Sequence, residues 1–69
     1  MAYNLRVVVP EADKRKAMII AEELGWQFTD GELRATTTGA HEADTLMKSC
    51  LFALRMSGVQ ILSERTQVA

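Results

Sequence analysis

The sequence has few of the residues that mark cross-linked or membrane-spanning proteins. Its 69 residues include one cysteine, Cys50, which excludes an internal disulfide and a metal site made of several cysteines. It has one proline, and no apolar run reaches the roughly 18 residues that a membrane-spanning helix needs. A lone cysteine is typical of proteins in reducing compartments. We therefore expect a cytoplasmic protein that contacts no membrane.

Neither sign of charge dominates. Eight basic and nine acidic residues give a net charge of -1, so the whole chain has no attraction to nucleic acid or an anionic membrane. Its first residues lack the basic stretch and apolar run of a signal peptide. The 48% apolar and 25% charged fractions are those of an ordinary globular domain. We expect one small domain over residues 1–69.

The first third of the chain predicts a strand and then a helix. Residues 3–9 alternate between apolar and polar side chains, as in a half-buried strand, and Pro10 ends this pattern. Pro10 and the acidic residues after it favour the start of a helix that runs to about Leu24 and is closed by Gly25. Its core stripe consists of Ala17, Ile20, Ala21 and Leu24.

The strongest local signal is a hairpin. Asp30 and Gly31 readily adopt the positive φ angles of a two-residue turn between strands at 26–29 and 32–38. The register that follows pairs Phe28 with Leu33 and Trp26 with Ala35, which puts the apolar residues on one face.

The rest of the chain predicts a second helix and a final strand. The helix begins near Ala40 and stops at Gly58. The strand covers 59–65 with Val59 and Ile61 inward and Gln60 and Glu64 outward, and the tail at 66–69 is expected to fray. The core stripe of the helix consists of Ala43, Leu46, Met47, Cys50, Ala53 and Leu54.

The predicted order β-α-β-β-α-β resembles that of ferredoxin-like folds. This is an α+β fold in which a four-stranded antiparallel sheet, in the spatial order 4-1-3-2, carries both helices on one face. The alternative is a β-α-β-β-α chain whose last strand pairs with another subunit.

No residue pattern indicates catalysis. His41 is the only histidine, and on a helix Glu42 and Asp44 lie about 100° and 60° around the axis from it and Cys50 about half a turn, so these side chains do not converge. The sequence also lacks a phosphate-binding loop, a nucleophile elbow and a paired-cysteine motif. We therefore expect no enzyme, no metal and no cofactor.

A small basic patch is the one feature that suggests nucleic acid or a phosphate ligand. The run Lys14, Arg15, Lys16, together with Arg6 on the first strand, could contact phosphate. The alternative is an ordinary solvated helix face. All aromatic side chains of the predicted strands lie on the helix-facing side, so bases have nothing to stack on and a nucleic-acid partner is disfavoured.

The most informative feature is a row of residues on the outer side of the second helix. Phe52 and Met56 lie one turn apart, nearly opposite the core stripe, and Thr45 and Ser49 continue their row. On the first helix Ile19 also points outward, with Met18 on the flank of the core stripe. Apolar groups clustered in this way usually meet another protein. The alternative is that a wide stripe or the folded-back tail buries them.

These patterns favour a non-enzymatic protein-interaction module, an adaptor or inhibitor that acts as a homodimer through the outer row. Whether the partner is a second copy or a different protein stays open. A small chain without motifs would also suit a phage or mobile-element protein that blocks a host complex. The alternative function is binding of nucleic acid or a phosphate ligand through the basic patch.

Overall fold

The computed structural model describes residues 1–69. Four strands and two helices follow one another along the chain, with a 3-10 turn, Glu11–Asp13, before the first helix. The elements are β1 (Tyr3–Val8), α1 (Lys14–Leu24), β2 (Gln27–Thr29), β3 (Glu32–Thr37), α2 (Ala40–Met56) and β4 (Ser63–Val68).

The strands form one antiparallel sheet in the order β2-β3-β1-β4. The central strand β1 pairs with β3, where Val7 lies opposite Leu33, and with β4, where Val7 lies opposite Glu64. The predicted α+β class, with a four-stranded antiparallel sheet and two helices, is confirmed.

The core lies between the helices and one face of the sheet. Alternation along β1 buries Leu5 and Val7 and leaves Asn4 and Arg6 exposed on the opposite, open face. Two details differ from the sequence prediction, since Leu24 is exposed and Leu51 is buried. The core consists of Leu5, Val7, Val9, Ala17, Ile20, Ala21, Trp26, Leu33, Ala43, Met47, Cys50, Leu51, Leu54 and Val59.

The Asp-Gly hairpin forms as predicted. Asp30 and Gly31 have φ angles of 53° and 78°, and Phe28 pairs with Leu33. The strand begins at Gln27, however, so Trp26 lies outside β2.

Trp26 and Val59 complete helix ends instead of starting strands. Past Gly25, the Trp26 N–H donates to the Ala21 carbonyl at 2.8 Å. Past Gly58, the Val59 N–H donates to the Leu54 carbonyl at 2.9 Å. This is the Schellman arrangement, in which a glycine with positive φ is followed by an apolar residue that packs back on the helix. Both helices therefore end at the predicted glycines, and the residues after those glycines are used for capping.

The last strand differs most from its prediction. It covers Ser63–Val68 and not 59–65, because residues 59–62 lead from the end of α2 to the sheet edge. The tail does not fray, since Thr66 lies opposite Leu5 and the Ala69 N–H donates to the Ala2 carbonyl at 2.8 Å. The side chains of β4 also lie on the opposite faces of the sheet from those predicted. Glu64 is on the helix side and Arg65 on the open face.

Candidate interaction surfaces

The first candidate surface is the outer row of α2, which we define as Thr45, Ser49, Phe52 and Met56. Phe52 is 66% exposed and Met56 72% exposed, and the two polar members are exposed as well. At 100° per residue, Phe52 lies about 180° around the helix from the buried Ala43. The outer row is therefore directed to solvent, and neither the core stripe nor the C-terminal residues cover it.

The apolar residues predicted on α1 are less exposed. Ile19 is 50% exposed and Met18 43% exposed. Because α1 packs against α2, these side chains belong to the same helical layer as the outer row. They add to the exposed apolar surface of the helical layer, and each is less exposed than Phe52 or Met56.

The second candidate surface is the predicted basic patch, which the fold divides. Arg6 is on the open face of the sheet, and α1 lies against the other face. Lys14, Arg15 and Lys16 form the first turn of α1, where the Lys14 ammonium contacts the Glu11 carboxylate at 2.9 Å. The structure therefore does not bring Arg6 together with the basic run.

Arg6 has other basic neighbours instead. It lies directly opposite Arg34 on β3 and Arg65 on β4. The hairpin register already puts Arg34 on the open face. The sequence does not predict Arg65 on the open face, because the predicted strand 59–65 places its side chain on the helix side.

His41 and Cys50, the two residues considered for catalysis, lie on different sides of α2. His41 is exposed in the first turn of α2, whereas Cys50 is fully buried on its core side. Burial raises the pKa of the Cys50 thiol to about 11, so this group is not a nucleophile at neutral pH. No group of three or more His, Cys, Asp or Glu side chains could hold a metal ion.

Neither helix is long and apolar enough to cross a membrane. No protein-family model, no curated protein and no solved structure matches the chain.

Proposed function

We propose that this chain is a non-enzymatic protein-interaction module that works as a homodimer through the outer row of α2. The observation that carries the proposal is the exposure of Phe52 and Met56, one turn apart on the side of α2 opposite the core. Aromatic residues and methionine are enriched at the centres of protein interfaces. A chain of 69 residues also has a small core, so association would add to the stability of the folded chain.

The sizes of the side chains favour a second copy as the partner. Along the outer row, small residues come first and large residues last. When two α2 helices pair antiparallel about a two-fold axis, Phe52 lies against Ser49 of the partner subunit and Met56 against Thr45 of the partner subunit. Large side chains then enter the spaces beside small ones, as close packing of helices requires. A two-fold axis is also the commonest symmetry of oligomers.

We further assign the chain to the ferredoxin-like class. This assignment is supported by the sheet order, which is 4-1-3-2 when counted from β4, and by helices that separate the same pairs of strands. The 3-10 turn at Glu11–Asp13 is an addition to that pattern. The class hosts many unrelated functions, so it does not decide between binding partners.

We place the dimer in the cytoplasm as an adaptor or inhibitor. The support for this location is Cys50, a free buried thiol of the kind that persists in reducing compartments. As an adaptor or inhibitor, the dimer would present two copies of every surface outside the α2 pair.

Sedimentation equilibrium of matched variants tests the α2 interface. The double variant Phe52→Ser, Met56→Ser should remain folded and become monomeric, because both side chains are exposed and contribute little to the core. Ser49→Arg should have the same effect by filling the space that Phe52 needs. The control is Leu62→Ser, which removes another exposed apolar side chain, outside α2, and should leave the dimer intact.

Two results would count against the proposal. If the double variant loses its circular dichroism spectrum at concentrations where the wild type is monomeric, Phe52 and Met56 support the core. If Thr66→Pro removes the dimer and Ser49→Arg does not, the copies pair through the free edge of β4 instead.

A further inference from the structure

Three arginines form a continuous row across the open face of the sheet. Arg34 on β3, Arg6 on β1 and Arg65 on β4 are direct cross-strand neighbours. Neighbouring strands are about 4.8 Å apart, so the bases of the three side chains span about 10 Å. We call these residues the arginine row.

The positive charge of the arginine row is only partly compensated. The Glu32 carboxylate accepts hydrogen bonds from Arg34 at 2.7 and 3.0 Å and contacts the Arg6 Nε at 3.4 Å. Arg65 has no ion pair. Like charges directly opposite each other destabilise a sheet. Three neighbouring guanidinium groups, of which the one carboxylate pairs with only two, are therefore unfavourable for the sheet itself and favourable for an anionic ligand.

Polar side chains surround the arginine row. Together with the three arginines, and with Leu5, Gly25, Trp26, Ala35 and Leu46, they line a depression of about 540 Å³. No aromatic side chain occupies an outward position on any of the four strands. The polar members of the lining are Asn4, Gln27, Thr36 and Gln67.

We propose that the arginine row binds a compact ligand that carries two or three linked phosphate groups. The planar guanidinium fork matches phosphate oxygens in bidentate geometry, and adjacent strands place two forks within reach of one diphosphate. The amide and hydroxyl groups around the row could hydrogen-bond the rest of such a ligand.

A nucleic-acid strand fits the same face less well. The net charge of the chain is -1 and its other basic cluster, residues 14–16, is on the helix side of the sheet, so a long polyanion on the open face gains little beyond the arginine row. Sheet surfaces that bind single strands stack the bases on exposed aromatic rings, which this face lacks. The charge and the side-chain types therefore favour a small phosphorylated molecule.

Titration of the chain with inorganic pyrophosphate, followed by NMR of the backbone amides at low salt, tests this proposal. The chemical-shift changes should be largest on β1, β3 and β4, and binding should weaken as the salt concentration rises. Arg65→Gln should weaken binding about fivefold, since it removes one exposed charge-assisted contact and breaks no ion pair. Arg6→Lys keeps the charge and should also weaken binding, because the fork is lost.

The variant Glu32→Gln tests the phosphate site most sharply. It removes the carboxylate that competes for Arg6 and Arg34, so pyrophosphate should bind more tightly, by about threefold or more. A purely structural role for Glu32 predicts no gain. The control is Arg55→Gln, at the end of α2 in the helical layer, which should leave binding unchanged.

Titrations with other ligands distinguish inorganic phosphates from nucleotides. Binding of pyrophosphate and of ADP supports the proposal, and tighter binding of ADP assigns the ligand to nucleotides. Shifts confined to residues 14–16, equal binding of sulfate, or preference for a single-stranded oligonucleotide would overturn it. The site uses the sheet face opposite the helices, so its success or failure is independent of the α2 interface.

Discussion

The Asp13 carboxylate accepts a hydrogen bond from the Gln60 backbone N–H at 3.0 Å. Asp13 immediately precedes α1, and Gln60 belongs to the segment that leads from α2 to β4. The Asp13 side chain makes no capping hydrogen bond to α1. It therefore acts between distant parts of the chain and holds the approach to β4 against the start of α1.

Removal of this contact should destabilise the fold measurably. Asp13→Ala removes an exposed hydrogen bond to a charged group, which water at the Gln60 N–H partly replaces, and we expect a loss of about 1 kcal/mol in the free energy of unfolding. Urea denaturation followed by the fluorescence of the buried Trp26 measures this change. Glu11→Ala, which removes an exposed ion pair with Lys14, is the control and should change stability by less than about 0.5 kcal/mol. If the two substitutions lower the free energy of unfolding equally, the Asp13–Gln60 hydrogen bond contributes no more to stability than an exposed ion pair.

The glycine that ends α2 should resist substitution for a conformational reason. Gly58 has a φ of 76°, and a Cβ added there meets no atom within 4 Å. Gly58→Ala should therefore cost about 1 to 2 kcal/mol through backbone strain alone. Gly39→Ala is the matched control, because Gly39 has a φ of -110°, which alanine adopts freely. If Gly58→Ala and Gly39→Ala unfold at the same urea concentration, the left-handed backbone at Gly58 does not stabilise the end of α2.

The helices and the hairpin could be predicted from sequence because their signals are local. Asp30 and Gly31 determine a turn, and the spacing of Ala43, Met47 and Cys50 determines which side of α2 is buried. The exposure of Phe52 and Met56 follows from the same periodicity. These features depend on residues close together in the chain.

The course of the chain after each helix could not be predicted in that way. Val59 satisfies the alternation of a strand equally well, but its N–H and side chain complete the end of α2. The start of β4 therefore depends on the distance from α2 to the sheet edge, which no short window of sequence contains. The face of Arg65, and with it the arginine row, depends on that starting point.

Cys50 should be protected from thiol reagents in the folded chain. Burial raises its pKa from 9.0 to about 11, so the thiol is protonated and inaccessible at neutral pH. Reaction with an aromatic disulfide reagent should occur only as fast as the chain opens, and added urea should accelerate it. Immediate reaction in native buffer would contradict the buried position.

The same pKa shift makes the free energy of unfolding fall as the pH rises above 9. The thiol of the unfolded chain ionises near pH 9.0 and that of the folded chain near 11, so the folded state retains its proton longer. The contribution of Cys50 is present below pH 9 and is lost as the pH rises towards 11. Cys50→Ala should lose less stability than the wild type over this interval, as measured by urea denaturation at each pH.

Association of two copies through Phe52 and Met56 is the basis of the proposed function. Static light scattering over a concentration range of about two orders of magnitude measures the mass directly, since one chain weighs 7.7 kDa. We predict twice that mass at high concentration for the wild type, and the mass of one chain throughout for the folded Phe52→Ser, Met56→Ser variant. A wild-type mass of one chain at every concentration would contradict the account.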